Sequence, residues 1–78
     1  MKHSVIVYTT PTCSWCHAVK EHLNSHNISF EEIDIAADME KAQELFDKSG
    51  QYGVPVLDID GTIVVGFDRA QINSLLNL

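Results

Sequence analysis

Val5-Ile6-Val7-Tyr8-Thr9-Thr10-Pro11-Thr12-Cys13-Ser14-Trp15-Cys16 places an apolar, β-branched run directly ahead of two closely spaced thiols. Ser4 to Tyr8 reads as a buried strand. A helical pattern follows from Ser14 to Ser25, with Trp15, Ala18, Val19, His22 and Leu23 near one face. Cys13 and Cys16 are the only two cysteines of the chain. On the chain-entropy model, a disulfide closing a loop of about four residues contributes roughly 2 kcal/mol, against nearer 5 kcal/mol for a loop of about 100. A bridge placed where it stabilises least is better explained by reactivity than by stapling.

Working outward, Phe30 to Ile35 reads as a second strand, in which only Ile33 and Ile35 alternate cleanly. Asp38 is a capping residue for a second helix with the apolar stripe Met39, Ala42, Leu45 and Phe46, ended by Gly50. Val56 to Ile59 and Thr62 to Val65 are strands joined at Asp60-Gly61, a hairpin signal. A last helix starts near Asp68, which with Gln71 resembles a capping box, and Ile72, Leu75 and Leu76 form its inner face. The order is β-α-β-α-β-β-α. A strand-helix-strand unit implies a parallel pair and the hairpin an antiparallel one. The expectation is an α/β fold, a four-stranded mixed sheet with helices on both faces. Paired cysteines beside a βαβ unit read as a thioredoxin-like redox motif.

Seventy-eight residues without linker, repeat or low-complexity tract read as one domain over 1–78. Five basic against eleven acidic residues give a net charge of −6. That balance argues against nonspecific nucleic-acid binding, which depends on basic residues neutralising phosphates, and against an anionic membrane surface as partner. The apolar start is too short for a signal peptide or a spanning helix, so a cytosolic protein is expected. There, paired cysteines are catalytic or metal-binding more often than structural.

Cys13 falls at a helix N-terminus, where free N–H groups and the macrodipole favour negative charge and hence the thiolate, the attacking species. Cys16 lies nearly one turn further in and is expected to be more buried. Cys13 is therefore the candidate nucleophile and Cys16 the candidate resolving thiol. Val54-Pro55 precedes the third strand. A cis bond there would turn the Val54 backbone toward the cysteines for pairing with a bound peptide, whereas a trans proline would merely open the strand. Val65-Gly66-Phe67-Asp68 offers a glycine that permits close approach and helix-start amides that could hold a carboxylate, or simply a turn and a cap.

Three segments, Tyr8 to Cys16, Ser49-Gly50-Gln51-Tyr52-Gly53-Val54-Pro55 and Gly66-Phe67-Asp68, together resemble the glutaredoxins. The chain looks closest to the short bacterial glutaredoxin-like proteins, a group that includes redoxins reduced by thioredoxin reductase. The resemblance covers essentially the whole chain and implies a thioredoxin fold with cis-Pro55, nucleophilic Cys13 and resolving Cys16. It implies Val54 as the backbone partner of the substrate, with Pro55 and Gly66 beside it and Phe67 and Asp68 near a γ-glutamyl carboxylate. It also implies action on protein disulfides or glutathionylated substrates with glutathione as co-substrate, the alternative being thioredoxin reductase as electron donor, and a monomer is expected. The chain has Thr10 where many glutaredoxins have lysine, and Ser14 and Trp15 where they often have proline and tyrosine. Gly53 stands where threonine or serine is usual, and Val65 where a paired glycine is usual. Glutaredoxins with serine in place of the motif's proline sometimes bridge an iron–sulfur cluster between two protomers, which here would use Cys13 and glutathione.

Two rivals come from the same residues. Cys13-Ser14-Trp15-Cys16-His17 also matches a c-type haem attachment motif, but that chemistry needs export and a distal ligand, and the methionines are Met1 and Met39. A zinc site would draw on His17, His22 and His26, all on the cysteines' own helix, with no second ligand pair from another element. No bound metal is expected.

Overall fold

In the computed structural model, which describes residues 3–51 and 53–78, β1 (Val5–Thr9) leads through α1 (Ser14–Ser25) to β2 (Glu31–Asp34) and α2 (Met39–Ser49). The hairpin β3 (Val56–Ile59) and β4 (Thr62–Val65) follows, then α3 (Arg69–Leu76). Compared with the sequence reading, β1 begins and ends one residue later and β2 is one residue shorter at each end. The strands lie in the order β2-β1-β3-β4, with β1 parallel to β2 and antiparallel to β3, and β3 antiparallel to β4. This is the four-stranded mixed sheet of a thioredoxin fold.

Side chains alternate along a strand, so β1 feeds two cores. Val5 and Val7 pack with Leu57, Ile59 and Val64 beneath Val19 and Leu23 of α1 and Ile72 and Leu76 of α3. Tyr8 and Val56 face the other way, against Leu45 of α2. Helices therefore cover both faces.

Local devices hold the ends. Asp60 and Gly61 both adopt positive φ, 52° and 92°, as the two central residues of a type I′ hairpin turn require. Gly50 closes α2 in the left-handed region. Asp38 Oδ1 accepts from the Glu40 and Lys41 amides at 3.0 and 3.3 Å. Asp38→Ala is expected to cost about 1 kcal/mol, which lowers Tm by roughly 4–8 °C in a chain of this size, with disulfide reduction unchanged. Thermal melting by circular dichroism checks it.

Among the described residues Trp15, Met39, Phe46, Val65 and Leu78 are exposed large apolar side chains, and the first three belong to helix faces that the sequence marks as apolar. α1 turns Cys16, Val19 and Leu23 inward at i, i+3 and i+7, so Trp15, one position earlier, is 66% exposed rather than part of the inner face. Met39 sits at the first position of α2, before the helix reaches the sheet, and is 87% exposed.

The α2 face also carries a polar network. The buried Tyr8 hydroxyl donates to Glu44 Oε2 at 2.8 Å and accepts from Lys48 Nζ at 2.9 Å, and Lys48 donates to Asp58 Oδ2 at 2.8 Å. Burial pushes the Tyr8 phenol upward, while Asp58 first and Tyr8 second hold Lys48 above the usual lysine range. Each member has a partner, the condition under which a buried polar group is tolerated.

Candidate active site

The chain leaves β1 through the turn Thr10-Pro11-Thr12, closed by the Cys13 amide donating to the Thr10 carbonyl at 3.3 Å. Cys13 is the N-cap of α1, extended at φ −90°, and its sulfur takes the place that a serine or aspartate oxygen usually fills. Cys13 Sγ accepts from the Cys16 amide at 3.2 Å. That N–H points at the sulfur, and the first turn of α1 holds no acidic residue. Both thiols are free, Cys13 partly exposed and Cys16 only 1% exposed. Burial first, and the neighbouring Cys13 second, push the Cys16 thiol up to about 11, against smaller opposing effects from the Thr10 backbone and Lys20.

The opposite wall comes from the loop before β3. The Val54–Pro55 bond is cis, and the Cys13 thiol donates to the Val54 carbonyl at 3.8 Å. The Gly66 amide donates to the Pro55 carbonyl at 2.8 Å, tying the end of β4 to this loop. Gly66 has φ +79°, and a Cβ there would meet nothing within 4 Å, so the backbone conformation rather than crowding calls for glycine. Trp15, Val54, Pro55, Gly66 and Phe67 line a groove of about 260 Å³, across which the Trp15 and Phe67 rings meet edge to face with centroids 6.5 Å apart. Asp68 follows as the N-cap of α3, its Oδ1 accepting from the Gln71 amide at 3.2 Å.

Cys13, Cys16, Val54, Pro55, Gly66 and Phe67 thus gather at one end of the sheet, with Asp68 at the adjoining helix start. Sequence reasoning did not find Trp15 as a groove wall. Its place between the two cysteines, at the second residue of a helix whose next residue points inward, was the available signal. Nor did it find Lys20, which reaches across from α1 to Glu32 Oε2 at 2.7 Å and draws that carboxyl below the usual range. Thr9 also donates to Glu32, at 3.3 Å.

Within one chain the donors do not fit a metal centre: Cys16 is buried, and no group of three or more His, Cys, Asp or Glu side chains converges among the described residues. Among those residues, no helix is long and apolar enough to cross a membrane.

Comparison with known proteins bears on the same residues. The glutaredoxin family model matches residues 5–64. A glutaredoxin-like 8.6 kDa protein of the rubredoxin operon of Clostridium pasteurianum is 49% identical over 70 residues, 90% of this chain and 93% of the relative. Glutaredoxin 3 of Escherichia coli K12 is 37% identical over 65 residues, 83% of this chain and 78% of that one. Among solved structures, the thioredoxin-like protein BC3987 superposes with a TM-score of 0.86 at 35% identity, over 92% of this chain and 99% of that one. The glutaredoxin-like NrdH-redoxin of Escherichia coli, whose activity profile is described as thioredoxin-like, superposes with a TM-score of 0.83 at 28% identity, over 92% and 93%. A partly exposed N-capping thiol, a buried second thiol one turn on and a cis-proline loop facing them thus sit on a sequence that the family model spans from β1 into β4, and the chain belongs to the glutaredoxin family.

Proposed function

We propose that the chain is a dithiol thiol–disulfide oxidoreductase acting on protein disulfides and mixed disulfides. The observation that carries this reading is the asymmetry of the thiols, with an accessible Cys13 sulfur accepting an amide at 3.2 Å and Cys16 buried behind it. The Cys13 thiolate attacks one sulfur of a substrate disulfide. The substrate S–S bond breaks, a Cys13 mixed disulfide forms, and the leaving thiolate takes a proton. Cys16 then loses its proton and attacks the Cys13 sulfur. The Cys13–Cys16 bond forms, the second substrate thiolate leaves and is protonated, and two electrons have passed to the substrate. In this reading the Val54 backbone pairs with an extended polypeptide crossing the groove, supported by its carbonyl lying 3.8 Å from Cys13 Sγ. Gly66, Phe67 and Asp68 form the adjoining wall, where a γ-glutamyl carboxylate would lie if glutathione is the co-substrate.

A second reading concerns the electron donor. The groove walls are largely apolar, Thr10 supplies no cation beside Cys13, and Val65 is 48% exposed at the position of a second glycine. These features favour a polypeptide donor of the thioredoxin reductase kind over glutathione, in keeping with the thioredoxin-like activity profile described for NrdH-redoxin. Reduction of the oxidised protein by glutathione and, separately, by NADPH with thioredoxin reductase decides between them. Thr10→Lys is expected to speed reduction by glutathione several-fold, because it restores a cation beside Cys13. If neither donor reduces the protein, the oxidoreductase reading fails.

A further inference from the structure

Phe67 has two sides. One faces the groove lined by Trp15, Val54, Pro55 and Gly66. The other closes a second hollow of about 360 Å³, lined by Ala18, Glu21, His22, Ser25, Phe67 and Arg69. His22 is fixed there, with Nε2 donating to Asn73 Oδ1 at 2.7 Å and its ring 5.6 Å from that of Phe67. The hollow and the groove thus share Phe67 as a common wall.

The hollow is lined by one acidic and one basic side chain, Glu21 and Arg69, away from the chain's main concentration of charge. Seven of the eleven acidic residues and one of the five basic residues lie between Glu31 and Asp47, so that segment carries the whole net charge of −6 and the remainder is neutral. The segment spans β2 and α2, the edge strand and the helix on the far face of the sheet. Lys20, Lys41 and Lys48 are each paired with a carboxylate, at 2.7, 3.7 and 2.8 Å. Among the described residues, Arg69 is the one Lys or Arg with no carboxylate partner, and it stands exposed on the rim of the hollow. Glu21 lines the same hollow and opposes it.

We infer that this second hollow is a specificity subsite for an acidic side chain flanking the target disulfide of a partner polypeptide, and that Arg69 reads that charge. The inference rests on the oxidoreductase reading. Arg69 touches neither sulfur, so it acts on binding and not on the exchange step. An exposed ion pair contributes modestly, about 0.2–1 kcal/mol, equivalent to roughly 1.4- to fivefold in affinity, and reversing the charge replaces attraction by repulsion.

The test uses three short peptides, each with one internal disulfide, identical except for two glutamates, two glutamines or two lysines beside the second cysteine. Arg69→Glu is expected to raise KM for the acidic peptide roughly three- to tenfold, with kcat and the KM of the neutral peptide unchanged. Arg69→Lys should retain the wild-type preference. Glu21→Gln should lower KM for the acidic peptide, and all differences should shrink in high salt. Folding should not intervene, because a glutamate in the first turn of a helix is favourable. Equal KM values across the three peptides in wild type and Arg69→Glu would overturn the inference while leaving the oxidoreductase reading intact. An equal rise in KM for glutathione disulfide would also overturn it, making the hollow a glutathione subsite. Failure of the wild type to reduce the neutral peptide would overturn both.

Discussion

Cys13→Ser is expected to abolish disulfide reduction, and Cys16→Ser to leave Cys13 able to attack but unable to release its substrate. The difference follows from access. Cys13 caps α1, partly exposed and with its sulfur 3.8 Å from the Val54 carbonyl of the groove, whereas Cys16 is 1% exposed and lies behind it. A dithiol reductant without its nucleophile has no first step, so the loss should be complete. Without the resolving thiol, the first exchange proceeds and then stops. Mass spectrometry of the Cys16→Ser protein after mixing with a disulfide substrate should show one adduct per chain, at Cys13. Alkylation at neutral pH gives an independent check. Faster labelling of Cys16 than of Cys13 in the wild-type protein would reverse the assignment.

The second large effect is on the pH dependence of resolution. In the free dithiol the Cys16 thiol is pushed up to about 11, burial being the first cause and the adjacent Cys13 the second. Once Cys13 is tied up in a mixed disulfide its contribution changes, but the burial remains. Cys16 should therefore titrate between the ordinary thiol value of about 8.5 and about 11. Below that midpoint the thiolate fraction rises about tenfold per pH unit, and so should the rate at which Cys16 clears the mixed disulfide. Stopped-flow release of a chromogenic thiol from a preformed Cys13 adduct measures this rate. A flat profile from pH 7 to 9 would show that Cys16 is already ionised, contrary to its burial.

Stability has the matching sign. A thiol whose folded value is raised contributes stability that is fully present below about 8.5 and is lost as pH rises through about 11. The reduced protein should therefore weaken across that window, and Cys16→Ala should flatten the slope.

The devices legible in the sequence were local. Asp38, Gly50, Asp60-Gly61 and Asp68 each fix a helix end or a turn through their own side chain or φ angle, so their positions announced the element boundaries. The two cysteines were legible for the same reason, because spacing along one helix start sets their relation. Distant pairings left no such trace. Tyr8, Glu44, Lys48 and Asp58 meet only because β1, α2 and β3 pack together, and no periodicity in any one of those segments marks the others. The same is true of the Phe67 partition between groove and hollow, which depends on α1, α3 and the end of β4 converging. Trp15 and Met39 show the limit of reading faces from hydrophobicity. Both are apolar, but Trp15 stands one position before the inward-facing Cys16 and Met39 opens α2 with its side chain exposed. The conformation at Pro55 was legible through family resemblance, since the residues themselves allowed either isomer.

Trp15 is the only tryptophan in the chain, and it stands between the two cysteines with its ring in the open. The indole is the dominant near-ultraviolet fluorophore of a protein, and thiols, thiolates and disulfides quench it to different degrees. Every change at Cys13 or Cys16 takes place within a residue or two of that one emitter, which is also one wall of the groove. The molecule therefore carries its own optical gauge, with emission intensity following oxidation and emission wavelength following the displacement of water by a bound partner, and no dye or label is needed.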